Sequence, residues 1–349
     1  MERREVYLSF LKLSKYRQRL MQYRKFGTTD LVVSEIGFGS WAIGGDAMIG
    51  STAIGWGPAD DNESVKAIQA AVDAGINFFD TADIYGLGHS EELIGKTVGG
   101  NKNIMIATKV GNVARDEKFT VDYDYHYMIS ACEKSLQRLQ RDVIDYYQLH
   151  TAKLSHLQQG DCIKAMQDLQ QQGKIRYWGI SLNTFDPYPE AEFLIDRNLG
   201  NGFQLVLNII NQKALPLLRK AQENGYGIIV RMPLQFGLLT GKFDTSSTFA
   251  ATDHRKNRLT PEIIEASNTA TETVWQLCEK YNCTKTQLAL SYILGYDAVS
   301  TIIPGIRTGQ QAKQNTEGLF QLEDEDMKLI EGLGNSTMAD LMRRIQKLG

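Results

Sequence analysis

The chain has 349 residues, a formal net charge of −3 and a pI near 6.0, with 42% apolar and 23% charged residues. That balance fits a globular protein with a sizeable core and excludes the broad basic face that nucleic-acid binding requires. No apolar run approaches the roughly 20 residues of a membrane span, so stable membrane insertion is not expected.

Residues 1–22 are basic and amphipathic, with Arg3, Arg4, Lys12, Lys15, Arg17 and Arg19 set among Val6, Leu8, Phe10, Leu11, Leu13 and Leu20. They lack the uninterrupted apolar stretch of a signal peptide. The segment reads as an extension before the fold, with a start at Met21 or a lipid-binding surface helix as alternatives. Residues 23–349 read as a single domain. It opens with a hairpin, YRKF (23–26), GTTD (27–30) and LVVS (31–34).

Short apolar runs then alternate with helical patterns. The predicted strands are 35–40, 76–80, 104–110, 143–150, 176–181, 203–208, 226–232 and 299–305, nearly continuous apolar runs as expected for strands buried on both faces. Between them, 62–75, 127–140, 163–173 and 214–225 carry helical spacing. Gly75, Gly173 and Gly225 close three of these segments. Eight such pairs predict a (β/α)8 barrel. The doubly wound alternative calls for a Gly-rich turn leading straight into a helix. GFGSWAIGG (37–45) has the glycines, but the wrong spacing and no helix for about 15 residues. Long excursions leave the first strand (42–61) and the seventh (234–257), on the face where barrel enzymes build their sites. Cys132, Cys162, Cys278 and Cys283 form no CxxC pair, and no His stands near the last two to complete a metal site. They read as reduced thiols of a cytoplasmic protein without a metal centre.

Asp80 ends the second strand, Tyr85 follows in the next loop, Lys109 ends the third strand and His150 the fourth. Taken singly, each has a plain structural explanation: a cap, a packing ring, a solvated strand end, a satisfied histidine. Together they place four titratable groups at neighbouring strand ends on one face. A phenol ionises near pH 10, and an adjacent ammonium favours its anion. Tyr85 beside Lys109, with Asp80 orienting the lysine and His150 across a carbonyl site, makes a proton donor for carbonyl reduction.

FFDTADIYGLGHSEELIG (78–95), LQFGLLTGK (234–242) and IIPGIRTGQQAKQN (302–315) occur in that order. These blocks resemble the aldo-keto reductase family from about residue 23 to 318, with Ile94 where the first block usually has Leu. The resemblance implies a catalytic tetrad of Tyr85, Asp80, Lys109 and His150, with NADPH as cofactor and NADH as the alternative. It implies metal-free, reversible reduction of small aldehydes and ketones. Cofactor contacts fall by the same resemblance on Gly39, Ser40 and Trp41, and on Gln204. Ser181 and Asn183, separated here by Leu182, both remain candidates for the nicotinamide carboxamide. Arg231 stands where an aromatic often stacks on the nicotinamide. Leu234, Gly237, Leu239 and Gly241 follow the pyrophosphate, while Gly305, Arg307, Gln311 and Asn315 hold the adenosine phosphate. The rival readings are a cofactor-holding regulatory or channel-type subunit with little turnover, and a Schiff-base enzyme using Lys109 as nucleophile. Trp41, Trp56 and Tyr85 suggest an aromatic pocket mouth, with Arg231 suited to an anionic substrate group.

Overall fold

The computed structural model describes residues 20–348, so the reading of 1–22 as an extension lies almost wholly outside the described residues. Strands β1 (Tyr23–Lys25) and β2 (Val32–Ser34) pair antiparallel, the expected hairpin. Its Phe26 is fully buried and meets Tyr146 edge-on at 4.8 Å. A Cβ on Gly202 or Gly227, at the start of two later strands, would lie 2.6 Å from the Phe26 ring. The hairpin thus plugs one end of the barrel, and those two positions admit no side chain.

The barrel strands are β3 (Phe38–Gly39), β6 (Phe78–Asp80), β7 (Met105–Val110), β10 (Ile144–His150), β11 (Ile175–Ser181), β12 (Gly202–Val206), β13 (Gly227–Arg231) and β14 (Thr301–Ile303). They pair parallel in that order. Single bridges from Ile36 to Ile302 and from Gly39 to Gly305 close the circle. All eight expected strands are present. The first and last are shorter than 35–40 and 299–305 because this closing seam pairs through isolated bridges and not a continuous ladder.

Alternation along each strand sorts the side chains. Phe79, Ile106, Tyr147 and Leu149 point outward into the core shared with the helices. Phe78, Ala107, Tyr146 and Ile229 fill the lower barrel interior with the plug. Two residues further along, the same inward rows carry Asp80, Lys109, Gln148 and Arg231, and Gln204 stands two beyond Gly202 on β12. The interior is therefore apolar below and polar at the carboxyl ends of the strands.

The expected helices appear as Asp61–Asp73, Tyr125–Leu139, Asp161–Gln171 and Leu215–Glu223. Gly75, Gly173 and Gly225 follow three of them at φ of +88°, +71° and +79°, the left-handed conformation that ends a helix. Two hairpins at the mouth were not foreseen: β4 (Met48–Ile49) with β5 (Thr52–Ala53), and β8 (Asn112–Arg115) with β9 (Lys118–Val121). The excursion after β13 is a strap of two 3-10 turns, Gln235–Thr240 and His254–Asn257. Asp253 bridges to Trp56, and the His254 N–H donates to Gly55 O at 3.2 Å, fastening the strap to the excursion after β3. Helices Asp324–Gly334 and Thr337–Leu348 complete the chain. Among the described residues no helix is long and apolar enough to cross a membrane.

Candidate active site

Lys109 is fully buried and Asp80 is 2% exposed. The Lys109 ammonium donates to Asp80 Oδ2 at 2.6 Å, Thr81 O at 2.7 Å and Tyr85 Oη at 3.3 Å, which uses its three protons. Asp80 Oδ1 accepts from Gln204 Nε2 at 2.7 Å and Gln148 Nε2 at 3.1 Å. The His150 ring stands edge-on to Tyr85 with centroids 6.0 Å apart, and its buried Nδ1 has no partner among the described residues. The structure brings all four residues of the expected constellation together.

Burial works against the Lys109 charge, but Asp80 and Tyr85 outweigh it and hold the amine above its ordinary value. An amine kept as ammonium is a poor nucleophile, which counts against Schiff-base chemistry. Burial drives the Tyr85 phenol up, and Lys109 only partly offsets it. The expected net lowering by the ammonium is thus corrected: removing the phenolate from water costs more than Lys109 returns. Burial also pushes the His150 imidazole well below its usual range, and Lys109 and Arg231 push the same way, so the ring is neutral.

His150 is followed by Thr151 at φ +64°, a strained conformation for a β-branched residue. The His150 carbonyl accepts from Thr151 Oγ1 at 2.5 Å and from Tyr123 Oη at 2.7 Å. The Thr151 N–H reaches Leu149 O and Ser181 O. These bonds fix the main chain that carries the imidazole. Tyr85 is fixed by backbone contact. Gly86 lies at φ +61°, and the Gly44 carbonyl occupies the place of any Cβ there; a Cβ on Gly44 would come within 2.8 Å of Gly86 N. Trp41 stacks on Tyr85 (5.7 Å, 16°) and on His254 (4.5 Å, 18°), while its Nε1 donates to Ile54 O at 2.8 Å. Trp56 meets Trp41 edge-on at 5.6 Å. The aromatic mouth expected from Trp41, Trp56 and Tyr85 is present, with His254 as an unforeseen member.

Gly39 lies on the closing seam. Ser40 is buried, and its hydroxyl accepts from Ser90 at 2.8 Å. Ser181 at the end of β11 and Gln204 in the middle of β12 are both buried, their side-chain oxygens 3.4 Å apart. Asn183 is exposed and accepts from the Phe185 and Asp186 N–H groups, a local turn. Ser181, and not Asn183, therefore stands with the tetrad's network. Arg231 donates to Leu182 O (3.1 Å), Thr184 Oγ1 (3.0 Å) and Met232 Sδ (3.2 Å), leaving a buried Nε without a partner among the described residues. Leu234 precedes the first turn of the strap, Leu239 is buried within it, and Gly237 and Gly241 have φ of +97° and +74°.

After β14, a Cβ on Gly305 would meet nothing within 4 Å. Thr308 caps the helix Gly309–Thr316 by accepting from the Gln311 N–H, and Gln311 Oε1 accepts from the Arg307 N–H at 2.7 Å. The Arg307 guanidinium has a 3.4 Å bond to Trp56 O, and the Asn315 amide nitrogen is buried without a partner among the described residues. Open space at Gly305, a guanidinium with bonding capacity next to the N-terminus of that helix and an orphaned amide in its last turn fit a phosphate-bearing cofactor. Asp60 and Glu63 line the same cleft as Arg307 and Thr308.

Gln148 was missed from the sequence, although it precedes His150 by two residues on one strand and so shares its face. Tyr123 and His254 reach the site from loops, and no local pattern marks them.

The model of the aldo/keto reductase family matches residues 35–335. The uncharacterized oxidoreductase YqkF of Bacillus subtilis (strain 168) is 29% identical over 317 residues, covering 89% of this chain and 96% of that protein. The NADH-specific methylglyoxal reductase of Escherichia coli (strain K12) is 27% identical, covering 87% and 95%. The solved holo form of aldo-keto reductase AKR11C1 from Bacillus halodurans superposes with a TM-score of 0.71 at 28% identity, covering 90% and 96%. The chain belongs to the aldo/keto reductase family and is an NAD(P)H-dependent oxidoreductase.

Proposed function

We propose that this protein reduces small aldehydes and ketones to alcohols with NADPH, and that Tyr85 delivers the proton to the carbonyl oxygen. The observation that carries the reading is the Lys109 ammonium held between Asp80 and Tyr85 in a buried site. A bound nicotinamide supplies the hydride. Tyr85 must keep its proton until a carbonyl oxygen develops charge, and burial keeps the phenol neutral until then. Lys109 then stabilises the tyrosinate that forms, while Asp80 keeps Lys109 charged and turned toward it. Neutral His150 contributes a hydrogen bond and no net charge. In the reverse direction the tyrosinate recovers its proton from an alcohol through the same contacts. A regulatory subunit without turnover would not require this arrangement.

Ser181 and Gln204 would hold the nicotinamide carboxamide, and Gly39, Ser40, Trp41 and Arg231 would complete that end of the site. Leu234, Gly237, Leu239 and Gly241 accompany the pyrophosphate; Gly305, Arg307, Gln311 and Asn315 take the adenosine end. Arg307 is the cation for a 2′-phosphate. NADH is the second reading: Asp60 and Glu63 oppose that extra phosphate and suit ribose hydroxyls. We also take residues 23–349 to be a single domain and the four free thiols to mark a cytoplasmic protein.

The test is Tyr85→Phe with 4-nitrobenzaldehyde and each nicotinamide cofactor. We expect wild type to turn over repeatedly. The variant should lose about 10²- to 10⁴-fold in kcat, the usual contribution of a positioned proton donor, with cofactor binding unchanged by fluorescence. A variant within about threefold of wild type would overturn the role of Tyr85. A wild type without multiple turnover would overturn the enzyme reading.

A further inference from the structure

Cys278 and Cys283 lie in the helix layer outside the barrel, at the end of the helix Leu277–Tyr281. Asn282 follows in the left-handed conformation at φ +48° and ψ +53°. Its N–H donates to Glu279 O at 3.3 Å, and the Cys283 N–H donates to Cys278 O at 3.0 Å. Those bonds define the helix stop in which the residue after the left-handed position folds back onto the residue five before it. An apolar pair usually makes that side-chain contact. Here both members are cysteines. Both are free and partly exposed, whereas Cys132 and Cys162 are buried.

We propose that Cys278 and Cys283 are an oxidant-sensitive dithiol that closes to an intrachain disulfide by exchange with a low-molecular-weight disulfide of the glutathione class. The 3.0 Å main-chain bond brings the two Cα atoms within the roughly 4–7 Å that a disulfide spans, so closure needs side-chain rotation and little backbone movement. The neighbouring Cys283 lowers the Cys278 thiol, Lys285 adds to this, and burial opposes it. Cys278 in turn raises Cys283. Cys278 is therefore the attacking thiolate. It displaces one glutathione thiolate and forms a mixed disulfide. Cys283 gives its proton to solvent, and its sulfur attacks Cys278 Sγ, expelling the second glutathione. Two protein thiols are oxidised and one external disulfide is reduced to two thiols. The proposal is independent of the role given to Tyr85.

The experiment treats the folded protein with oxidised glutathione, alkylates the remaining thiols and digests with trypsin. Trypsin cuts after Lys280, between the cysteines. We expect the peptide ending at Lys280 and the one beginning at Tyr281 to stay joined, lighter than their sum by two hydrogens, and to separate on reduction. Cys283→Ser should stop at a mixed disulfide on Cys278, while Cys278→Ser should take up glutathione more slowly. Separately alkylated peptides after oxidation, or a linkage only between chains, would overturn the proposal. Faster uptake by Cys278→Ser would overturn the assignment of Cys278 as the attacking thiolate.

Discussion

Replacing Lys109 by Met keeps most of the stem's volume and removes the ammonium. Asp80, 2% exposed, would then face only the Gln148 and Gln204 amides. Removing one partner of a buried pair leaves an uncompensated charge and costs about 3–5 kcal/mol, whereas replacing both partners is often close to neutral. Lys109→Met should therefore be destabilised by about 3–5 kcal/mol at pH 7, and Asp80→Asn with Lys109→Met should recover most of that loss. Urea unfolding followed by tryptophan fluorescence measures both. A single variant within about 1 kcal/mol of wild type at pH 7, or a double variant no better than the single, would refute the reasoning.

Three further outcomes are expected. Because His150 is held neutral by burial and the cations Lys109 and Arg231, kcat/KM should show no inflection near pH 6.5; one that vanishes in His150→Asn would contradict this. Tyr123→Phe removes one of two hydroxyls on the His150 carbonyl, about 1 kcal/mol of stability, and should lower kcat more than it raises KM; an unchanged kcat would show the bond to be structural only. Arg307→Ala should weaken NADPH about tenfold or more by loss of a charge-assisted contact, leaving NADH alone, while Asp60→Asn with Glu63→Gln should favour NADPH; equal effects on both cofactors, read by fluorescence titration, would remove Arg307 from phosphate recognition.

The strands and the tetrad were legible because burial on both faces leaves continuous apolar runs, and because titratable residues interrupt those runs only at their ends. The hairpin Asn112–Val121 was not legible. Asp116 and Glu117 make its turn at φ of +50° and +57°, where sequence reasoning looks for glycine or asparagine. Met48–Ala53 was hidden by strands of two residues each. Ser181 and Asn183 share parity along a strand, but β11 ends at Ser181 and the chain turns away. The direction of the Tyr85 shift depends on desolvation by distant segments such as Trp41, which no local pattern records.

Nothing but main chain separates Gly44 from Gly86, so the segment presenting Tyr85 has no adjustable parts. Adaptation to a new carbonyl compound has to be written elsewhere, in the hairpins 48–53 and 112–121, which meet where Gly50 touches the Glu117 carbonyl. Ile49 of the first hairpin packs in one apolar cluster with Ala82, Ile84 and Tyr85, so the room for change that spares the phenol lies in 112–121. With Tyr85 in its proposed role, substrate preference and proton delivery become separable heritable traits, one free to drift while the other is held.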